Sequence, residues 1–189
     1  MAEVKGSLLA GVVRLIRANK DKDWRKYFTE KDMEIIESQI LPSSWYPLDT
    51  YERAEIAVFK EIAQGKLDVA RAWGRFLIED IIKNVYQTLV DEKDPKISLE
   101  RFVMFRKQLF RFNDPNFQAI EFKSKAPGQV HVTLRAHHPL PEFEAYCHQA
   151  MGSFERLVEM AGAREAKAII MEYDWKSQIP WATIEISWK

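Results

Sequence analysis

The stretch IEFKSKAPGQVHVTLR, residues 120 to 135, marks the point where this sequence changes from helical to strand periodicity. Apolar and polar residues alternate on both sides of Pro127 and Gly128, two residue types that favour turns. Alternation on either side of a turn predicts a β-hairpin with one buried face. The residues expected on that buried face are Ile120, Phe122, Val130, Val132 and Leu134.

Five helices are expected before the hairpin, because apolar residues recur there every three or four positions. Asp49 and Glu52 have the spacing of a capping box and predict the start of the third helix. Gly74 lies inside the fourth helix and predicts a neighbour packed close to its backbone. The expected helices span residues 4–17, 29–40, 50–64, 67–90 and 99–112. The wide apolar stripe of the fourth comprises Val69, Trp73, Leu77, Ile81, Val85 and Leu89, with Ala70, Ile78 and Ile82 beside them.

A sixth helix, from Pro141 to about Gly162, and a second strand pair, at 168–175 and 181–188, follow the hairpin. We therefore predict an α+β fold in which five N-terminal helices precede a hairpin, a helix and a hairpin. The two hairpins are expected to form an antiparallel four-stranded sheet packed against helices. No linker or repeat is recognisable, so residues 1–189 are expected to form a single α+β domain. The buried face of the sixth helix is expected at Phe143, Cys147, Ala150, Met151, Phe154 and Val158.

The charge balance and the cysteine count argue against several classes of protein. Basic and acidic residues both number 28, so no global field attracts nucleic acid or an anionic membrane. The single cysteine cannot form an internal disulfide and favours a reducing compartment. The apolar run from Leu8 to Val13 is too short for a signal-peptide core or a membrane span. We expect a cytoplasmic protein with no nucleic-acid partner and no membrane span.

All four histidines and the only cysteine lie within residues 131–148, a clustering that raises the question of a metal site. Cys147 and His148 are neighbours on a predicted helix and point about 100° apart, whereas helical ligands of one ion are spaced i, i+4. Cys147 falls on the apolar face, where a buried thiol is expected. His137 and His138 lack the two-plus-two spacing of a structural zinc site. We expect no metal.

His131, Thr133 and Arg135 share one face of the predicted hairpin, because successive strand residues point to opposite sides. Two interpretations of this polar row stay open. The row is either a half-exposed sheet surface, or a site at which Arg135 anchors an anionic ligand group or a partner carboxylate.

The sequence contains no P-loop, GxGxxG, HExxH or Ser/His/Asp order. We therefore expect no enzymatic activity. Aromatic residues make up 12% of the chain, and Trp45, Tyr46 and Trp73 are candidates for the lining of an apolar pocket.

Four phrases carry a resemblance to known proteins: VKGSLLAGVVRLI, LPSSWYPLDTYE, ARAWGRFLIEDIIKNVY and FERLVEMAGAREAKAIIMEYDWKSQIPWATIEISW. Together they resemble a bacterial family that is abundant in myxobacteria and their relatives, and that looks related to the 4-vinyl-reductase-type domain. More distantly, the chain is similar to haem-nitric-oxide-binding domains and to Bet3-like subunits of Golgi transport particles. The resemblance covers nearly the whole chain and implies a fold more than a function.

The resemblance also allows a comparison of site residues. Haem-nitric-oxide-binding domains carry a Tyr-x-Ser-x-Arg motif on a strand, and His131, Thr133 and Arg135 occupy a similar place with only the arginine kept. Their haem iron is bound by a histidine upstream of the motif, and no histidine precedes His131 here. The 4-vinyl-reductase-type pattern often has cysteines in its last hairpin, where this chain has none. We expect no cofactor.

The resulting hypothesis is a non-enzymatic cytoplasmic signalling or regulatory module. The resemblance implies a small apolar ligand held between helices and sheet, with contacts from Trp45, Tyr46, Trp73 and Phe105 and an anionic anchor at Arg135. The alternative is a protein-interaction or dimerising scaffold subunit without a ligand, most simply a homodimer, which an exposed face on the first two helices would favour. A third interpretation, an accessory enzyme of pigment metabolism, rests on the name of a related domain alone.

Overall fold

The computed structural model describes residues 1–84, 87–91 and 94–189. The predicted α+β class is confirmed, with helices and two antiparallel sheets, one of them four-stranded. The chain divides into two compact units, Met1–Gly65 with Gln108–Phe117 and Lys66–Lys107 with Gln118–Lys189. The single domain over residues 1–189 stays a prediction. Within the described residues, no helix is both long enough and apolar enough to cross a membrane.

The first unit combines helices with a small antiparallel sheet of strand order β2-β1-β3. Its core is formed by apolar side chains of α1 and α3, among them the fully buried Leu9, Ala54 and Ala57. The elements are β1 (Glu3–Lys5), α1 (Gly6–Ala18), a 3₁₀ turn (Arg25–Tyr27), α2 (Glu30–Glu37), β2 (Trp45–Pro47), α3 (Leu48–Glu61) and β3 (Phe110–Arg111).

Val4 belongs to the central strand of this sheet, where the sequence predicted a helix. It pairs with Tyr46 of β2 and Phe110 of β3, and its side chain is fully buried. Val4 lies four residues before Leu8 and is in phase with α1, so periodicity alone did not separate strand from helix. The same sheet explains why the fifth helix ends before the predicted residue 112. Phe110 pairs with β1 and does not continue the helix.

The predicted capping box of Asp49 and Glu52 is wrong. Helix α3 begins at Leu48, its N-cap Pro47 supplies no side-chain cap, and Asp49 lies inside the first turn. The end of β2 sets the start of the helix, since the Leu48 N–H donates to the carbonyl oxygen of Ala2 at 3.0 Å.

The second unit contains the predicted order of hairpin, helix and hairpin. The strand order is β4-β5-β7-β6, antiparallel throughout, which confirms the predicted four-stranded sheet. Helix α4 is shorter than predicted, and Val85 of its predicted stripe lies outside the described residues. The elements are α4 (Leu67–Asn84), a 3₁₀ turn (Gln87–Leu89), α5 (Pro95–Lys107), β4 (Ile120–Ala126), β5 (Gln129–Arg135), α6 (Phe143–Met160), β6 (Lys167–Asp174) and β7 (Trp181–Ser187).

One face of the four-stranded sheet packs against α6 to form the core of the second unit. The predicted buried face of α6 is confirmed, with Cys147 and Phe154 completely buried. Each fully buried aliphatic side chain contributes roughly 1.5–3 kcal/mol relative to an exposed one. The inward side chains of the two central strands are Val130, Val132, Leu134, Ala182, Ile184 and Ile186.

Helices α4 and α6 cross at Gly74 and Gly152. A Cβ atom on Gly74 would lie 1.8 Å from the carbonyl oxygen of Gln149, and one on Gly152 would lie 1.9 Å from that of Arg71. Both distances are far below the roughly 3.5–4 Å of an ordinary non-bonded contact. Only glycine permits this approach, so the close neighbour predicted at Gly74 is confirmed as α6.

Ion pairs flank the crossing and were not anticipated from the sequence. Glu155 is buried and accepts hydrogen bonds from Arg71 and from the Ala168 N–H, the latter at 2.9 Å. Arg75 donates to Glu159 at 2.7 Å. These bonds compensate Glu155 for the loss of water on burial.

Substituting either crossing glycine should destabilise the second unit. We expect Gly74→Ala or Gly152→Ala to lower the free energy of unfolding by about 2–4 kcal/mol, because a methyl group forces the two helices apart. Gly11→Ala in α1 is the control, because nothing lies within 4 Å of its Cβ position. Gly11→Ala should raise the free energy of unfolding by roughly 0.5–1 kcal/mol, because alanine is favoured over glycine inside a helix. Urea unfolding followed by circular dichroism measures both effects, and wild-type stability of Gly74→Ala would contradict the crossing.

Asp32 is a buried charge in the first unit. Its carboxylate accepts hydrogen bonds from Thr50 at 2.6 Å, from two Arg53 nitrogens at 2.8 Å each and from Thr29. Burial alone would raise the pKa of Asp32, but the bonds from Arg53, Thr50 and Thr29 outweigh burial and hold the pKa well below its usual range. The folded protein therefore keeps this carboxylate ionised in acid that protonates it in the unfolded chain.

The stability that Asp32 contributes should be present above about pH 4 and lost as the pH falls from there, because the unfolded carboxyl, with a pKa of about 3.9, binds a proton first. Asp32→Asn should flatten this acid loss and should cost about 3 kcal/mol at neutral pH, where Arg53 loses its buried partner. Glu30→Gln, an exposed change in the same helix, serves as the control. Thermal melts from about pH 3 to 7, a range that brackets the unfolded pKa, measure the melting temperature of each variant. If this assignment were wrong, the melting temperatures of wild type and Asp32→Asn would fall equally as the pH is lowered.

Candidate functional site

The polar row predicted on β5 lies on the outer face of the four-stranded sheet and pairs with the neighbouring strands. His131 Nε2 is 3.2 Å from Glu185 Oε2, and the hydroxyl oxygens of Thr133 and Thr183 are 3.0 Å apart. Gln129 donates to the same Glu185 oxygen at 2.7 Å. This is the geometry of a half-exposed sheet surface whose polar groups bond to one another.

Arg135, the third member of the row, donates to Glu121 of β4 at 2.9 Å and to the carbonyl oxygen of Gln118 at 3.4 Å. Lys123 bonds to the other oxygen of Glu121 at 2.9 Å. Hydrogen bonds from Lys123 and Arg135 lower the pKa of the Glu121 carboxyl. Two cations and one carboxylate leave this trio with one net positive charge. The anionic anchor at Arg135 stays a prediction.

The remaining histidines and the cysteine do not gather around this row. Cys147 is completely buried, and burial raises the pKa of its thiol so that it stays protonated. His148 is half-buried, and burial lowers its pKa. The His138 Nδ1 lies 2.8 Å from the Pro139 carbonyl oxygen, with the His137 ring edge-on beside it.

Trp73, a predicted ligand contact on α4, stacks on Phe76 with ring centroids 5.2 Å apart. Phe76 is 57% exposed, so the pair presents an apolar surface to solvent. The Trp73 Nε1 is shielded from solvent, yet no hydrogen-bond acceptor reaches it from the described part of the chain. An unpaired buried N–H costs about 1–3 kcal/mol, so a bound molecule that supplies an acceptor would be favoured here. Phe76 was missed because it falls outside the predicted stripe.

Phe105, another predicted contact, is half-buried on α5 and packs against the core of the second unit. Phe122 of β4 and Tyr146 of α6 pack against the same core. The neighbouring Arg106 donates to the Tyr146 hydroxyl at 2.6 Å. Phe105 therefore belongs to the layer between the helices and the sheet, where the ligand was expected.

Trp45 and Tyr46 belong to β2 of the first unit. The Trp45 ring lies against two cations, with Lys5 Nζ at 4.2 Å and Arg111 Cζ at 3.8 Å from its centroid. The Tyr46 hydroxyl accepts a hydrogen bond from the Leu41 N–H at 2.9 Å. The five predicted contacts are therefore distributed over both units, and a single ligand site lined by all five stays a prediction.

The fold is similar to that of solved H-NOX domains over nearly the whole chain. A mutant of T. tengcongensis H-NOX matches at 13% identity and a TM-score of 0.63, covering 98% of this chain and 97% of that one. An oxygen complex of an oxygen-binding H-NOX domain related to soluble guanylate cyclases matches at 14% identity and a TM-score of 0.62, covering 98% and 95%. A structure from work on heme distortion in the H-NOX family reaches a TM-score of 0.65 at 13% identity, with coverage of 98% and 95%.

These likenesses support the haem-nitric-oxide-binding part of the expected resemblance, as a likeness of fold. No protein-family model matches the sequence, and no curated protein sequence is detectably similar to it. The expected kinship with the myxobacterial family, the 4-vinyl-reductase-type domain and Bet3-like subunits stays a prediction.

The fold family implies haem, but the side chains present do not fit haem held in that family's manner. Haem iron takes an axial ligand such as histidine, cysteinate or tyrosinate. By the resemblance, His131 and Thr133 occupy a place similar to that of the tyrosine and serine of the motif, and both bond to β7. No histidine precedes His131 in the sequence, and the Cys147 thiol is buried among apolar side chains.

Haem therefore should not bind specifically to the purified protein. We expect one equivalent of hemin to give the absorption spectrum of free or loosely associated hemin, because no histidine precedes His131 in the sequence, where the resemblance implies the iron ligand. Spectrophotometric titration, with a known haem protein as positive control, measures the Soret band. A ligated-haem spectrum that saturates at one haem per chain would contradict this assignment.

Proposed function

We propose that this protein is a non-enzymatic signalling or regulatory module that binds a small apolar ligand between the helices and the sheet of its second unit. The observation that carries the proposal is the likeness of fold to H-NOX domains, one of them described as oxygen-binding, over 98% of the chain. At 13–14% identity the likeness supports a shared fold but says nothing about a shared ligand. The kind of ligand is therefore argued from the side chains.

The side chains of the helix–sheet layer support a ligand with an apolar body. Phe105 and Phe122 supply half-buried aromatic surface at the helix–sheet layer. Arg135, in a trio with one net positive charge, lies on the opposite face of the sheet from Phe122, so the anionic anchor proposed there applies to a group bound outside this layer. The contacts predicted at Trp45 and Tyr46, in the first unit, and at Trp73, which stacks on the exposed Phe76, stay predictions and do not define this site. Apolar walls with a few polar groups are typical of small-molecule sites.

The non-enzymatic part of the proposal is supported by the state of the reactive groups. The only thiol of the chain, Cys147, stays protonated in the core, whereas a nucleophilic cysteine needs a lowered pKa. His131 is bonded to Glu185 on the sheet surface and has Thr133, itself bonded to Thr183, as its neighbour in the row.

One observation favours the alternative, an interaction subunit. Exposed large apolar side chains are present, but among the described residues none of them lies on α1 or α2, where they were expected. The exposed ones include Val69 and Phe76 of α4, at 38% and 57%, and a run on β6 from Ile169 to Tyr173. The surface on α4 is independent of the ligand proposal and is compatible with it.

Loss of the Phe105 ring should weaken ligand binding. We expect Phe105→Ala to reduce affinity for the fluorescent anionic probe 1-anilinonaphthalene-8-sulfonate about tenfold, because a buried phenyl ring contributes roughly 1.5–3 kcal/mol. Met104→Ala is the matched control, since Met104 is the preceding residue of the same helix and is 59% exposed. Arg135→Gln tests the anionic anchor separately: a loss confined to this probe, with the neutral N-phenyl-1-naphthylamine unaffected, would support an anionic group bound on the outer face of the sheet.

Native mass spectrometry of the freshly purified protein complements the titrations, and we expect it to reveal a retained small molecule. Melting curves ensure that only folded variants are compared. The proposal fails if no molecule is retained and if Phe105→Ala and Met104→Ala bind the probe as wild type does.

A further inference from the structure

The outer strip of α4, defined as Lys66, Val69, Ala72, Phe76 and Asp80, forms one continuous face. The spacings of three and four residues place all five on the same side of an α-helix. The Ala70 N–H bonds to the Lys66 carbonyl oxygen at 3.2 Å, so helical geometry begins at Lys66. Every member of the strip is exposed.

The strip lies away from the face that α4 presents to α6. The buried row of α4 runs through Ala70, Gly74, Ile78 and Ile82. Two large apolar side chains, Val69 and Phe76, are therefore held in water by the same crossing that buries their neighbours. Exposed apolar surface of this kind, rimmed by charge, is typical of an interaction site.

The strip is self-complementary when two copies of α4 are laid antiparallel. Lys66 and Asp80 stand seven residues before and after Trp73, so each lies about 10 Å from it along the helix axis at 1.5 Å per residue. A two-fold axis beside Ala72 and Trp73 then places Lys66 of one copy opposite Asp80 of the second. The same axis places Val69 opposite Phe76 of the second copy.

We propose that the outer strip of α4 is the surface through which two copies of this chain associate. A two-fold interface needs a patch that complements itself, and this one has opposite charges at its two ends. Ala72 at the axis is small and permits close approach of the helices, while the apolar residues occupy the centre and the charges the rim. The inference rests on α4 alone and not on the ligand proposal.

The apolar centre can be tested by the mass of the full chain in solution. Sedimentation velocity across the micromolar range should give a dimer for wild type. Phe76→Glu should raise the dissociation constant about a hundredfold or more, because each dimer loses two aromatic anchors. Met104→Glu is the matched control, since Met104 is 59% exposed and lies on α5, and it should remain dimeric.

The charged ends allow a sharper test of the antiparallel register. Lys66→Asp or Asp80→Lys alone places like charges opposite each other and should weaken the dimer roughly three- to tenfold. The double variant with both changes restores opposite charges across the axis and should recover most of the wild-type affinity. The double variant would not regain dimer affinity if Lys66 and Asp80 each acted only within its own chain.

A monomeric wild type at the highest concentration, a Phe76→Glu protein that dimerises like wild type, or a double variant no tighter than either single one would each overturn the proposal. Probe binding by Phe76→Glu separates this proposal from the previous one. Retained binding with a lost dimer supports the outer strip while leaving the ligand proposal intact.

Discussion

The backbone contact between α4 and α6 at Gly74 and Gly152 is the constraint on which the second unit depends. Helix α6 has the sheet on one side and α4 on the other, and the glycines let α4 approach until carbonyl oxygens replace side chains at the crossing. Because the two helices are so close, polar groups at the crossing are buried as well. Ser153 then donates to the Gly74 carbonyl oxygen at 2.9 Å, and Glu155 needs Arg71 and a backbone N–H as partners.

The crossing also fixes the rotation of α4, and the sequence predicted that rotation only approximately. The predicted stripe combined a main row from Val69 to Leu89 with Ala70, Ile78 and Ile82 beside it, and it is this second row, together with Gly74, that is buried. Hydrophobicity gave the first row more weight because valine and tryptophan outweigh alanine and glycine on any apolar scale. Gly74 was the informative residue, since a glycine retained inside a helix indicates contact with another backbone. Its partner was not predictable, because Gly152 is 78 residues away in the chain and the pattern of α6 did not single it out.

Prediction succeeded where structure depends on neighbours in sequence and failed where it depends on distant ones. The two hairpins and the buried face of α6 follow from local alternation and from helical periodicity. The small sheet of the first unit joins β1 to a strand more than a hundred residues away, so Val4 and Phe110 each looked like part of the adjacent helix. The polar row has the same character. Its shared face was predictable from strand alternation, but the pairing of Arg135 with Glu121 required the register of β4.

The pairing of Arg135 with Glu121 also bears on whether the polar row requires a ligand. In this chain each member of the row bonds to a neighbouring strand, so the sheet surface leaves His131, Thr133 and Arg135 satisfied with nothing bound. Satisfied polar groups impose no energetic demand for a ligand. A polar group that is shielded from water and lacks a partner does impose one, and Trp73 Nε1 has that property among the described residues. A demand for a partner of this kind therefore lies on α4, at the aromatic pair that the glycine crossing turns outward, whereas the polar row is already bonded within the sheet.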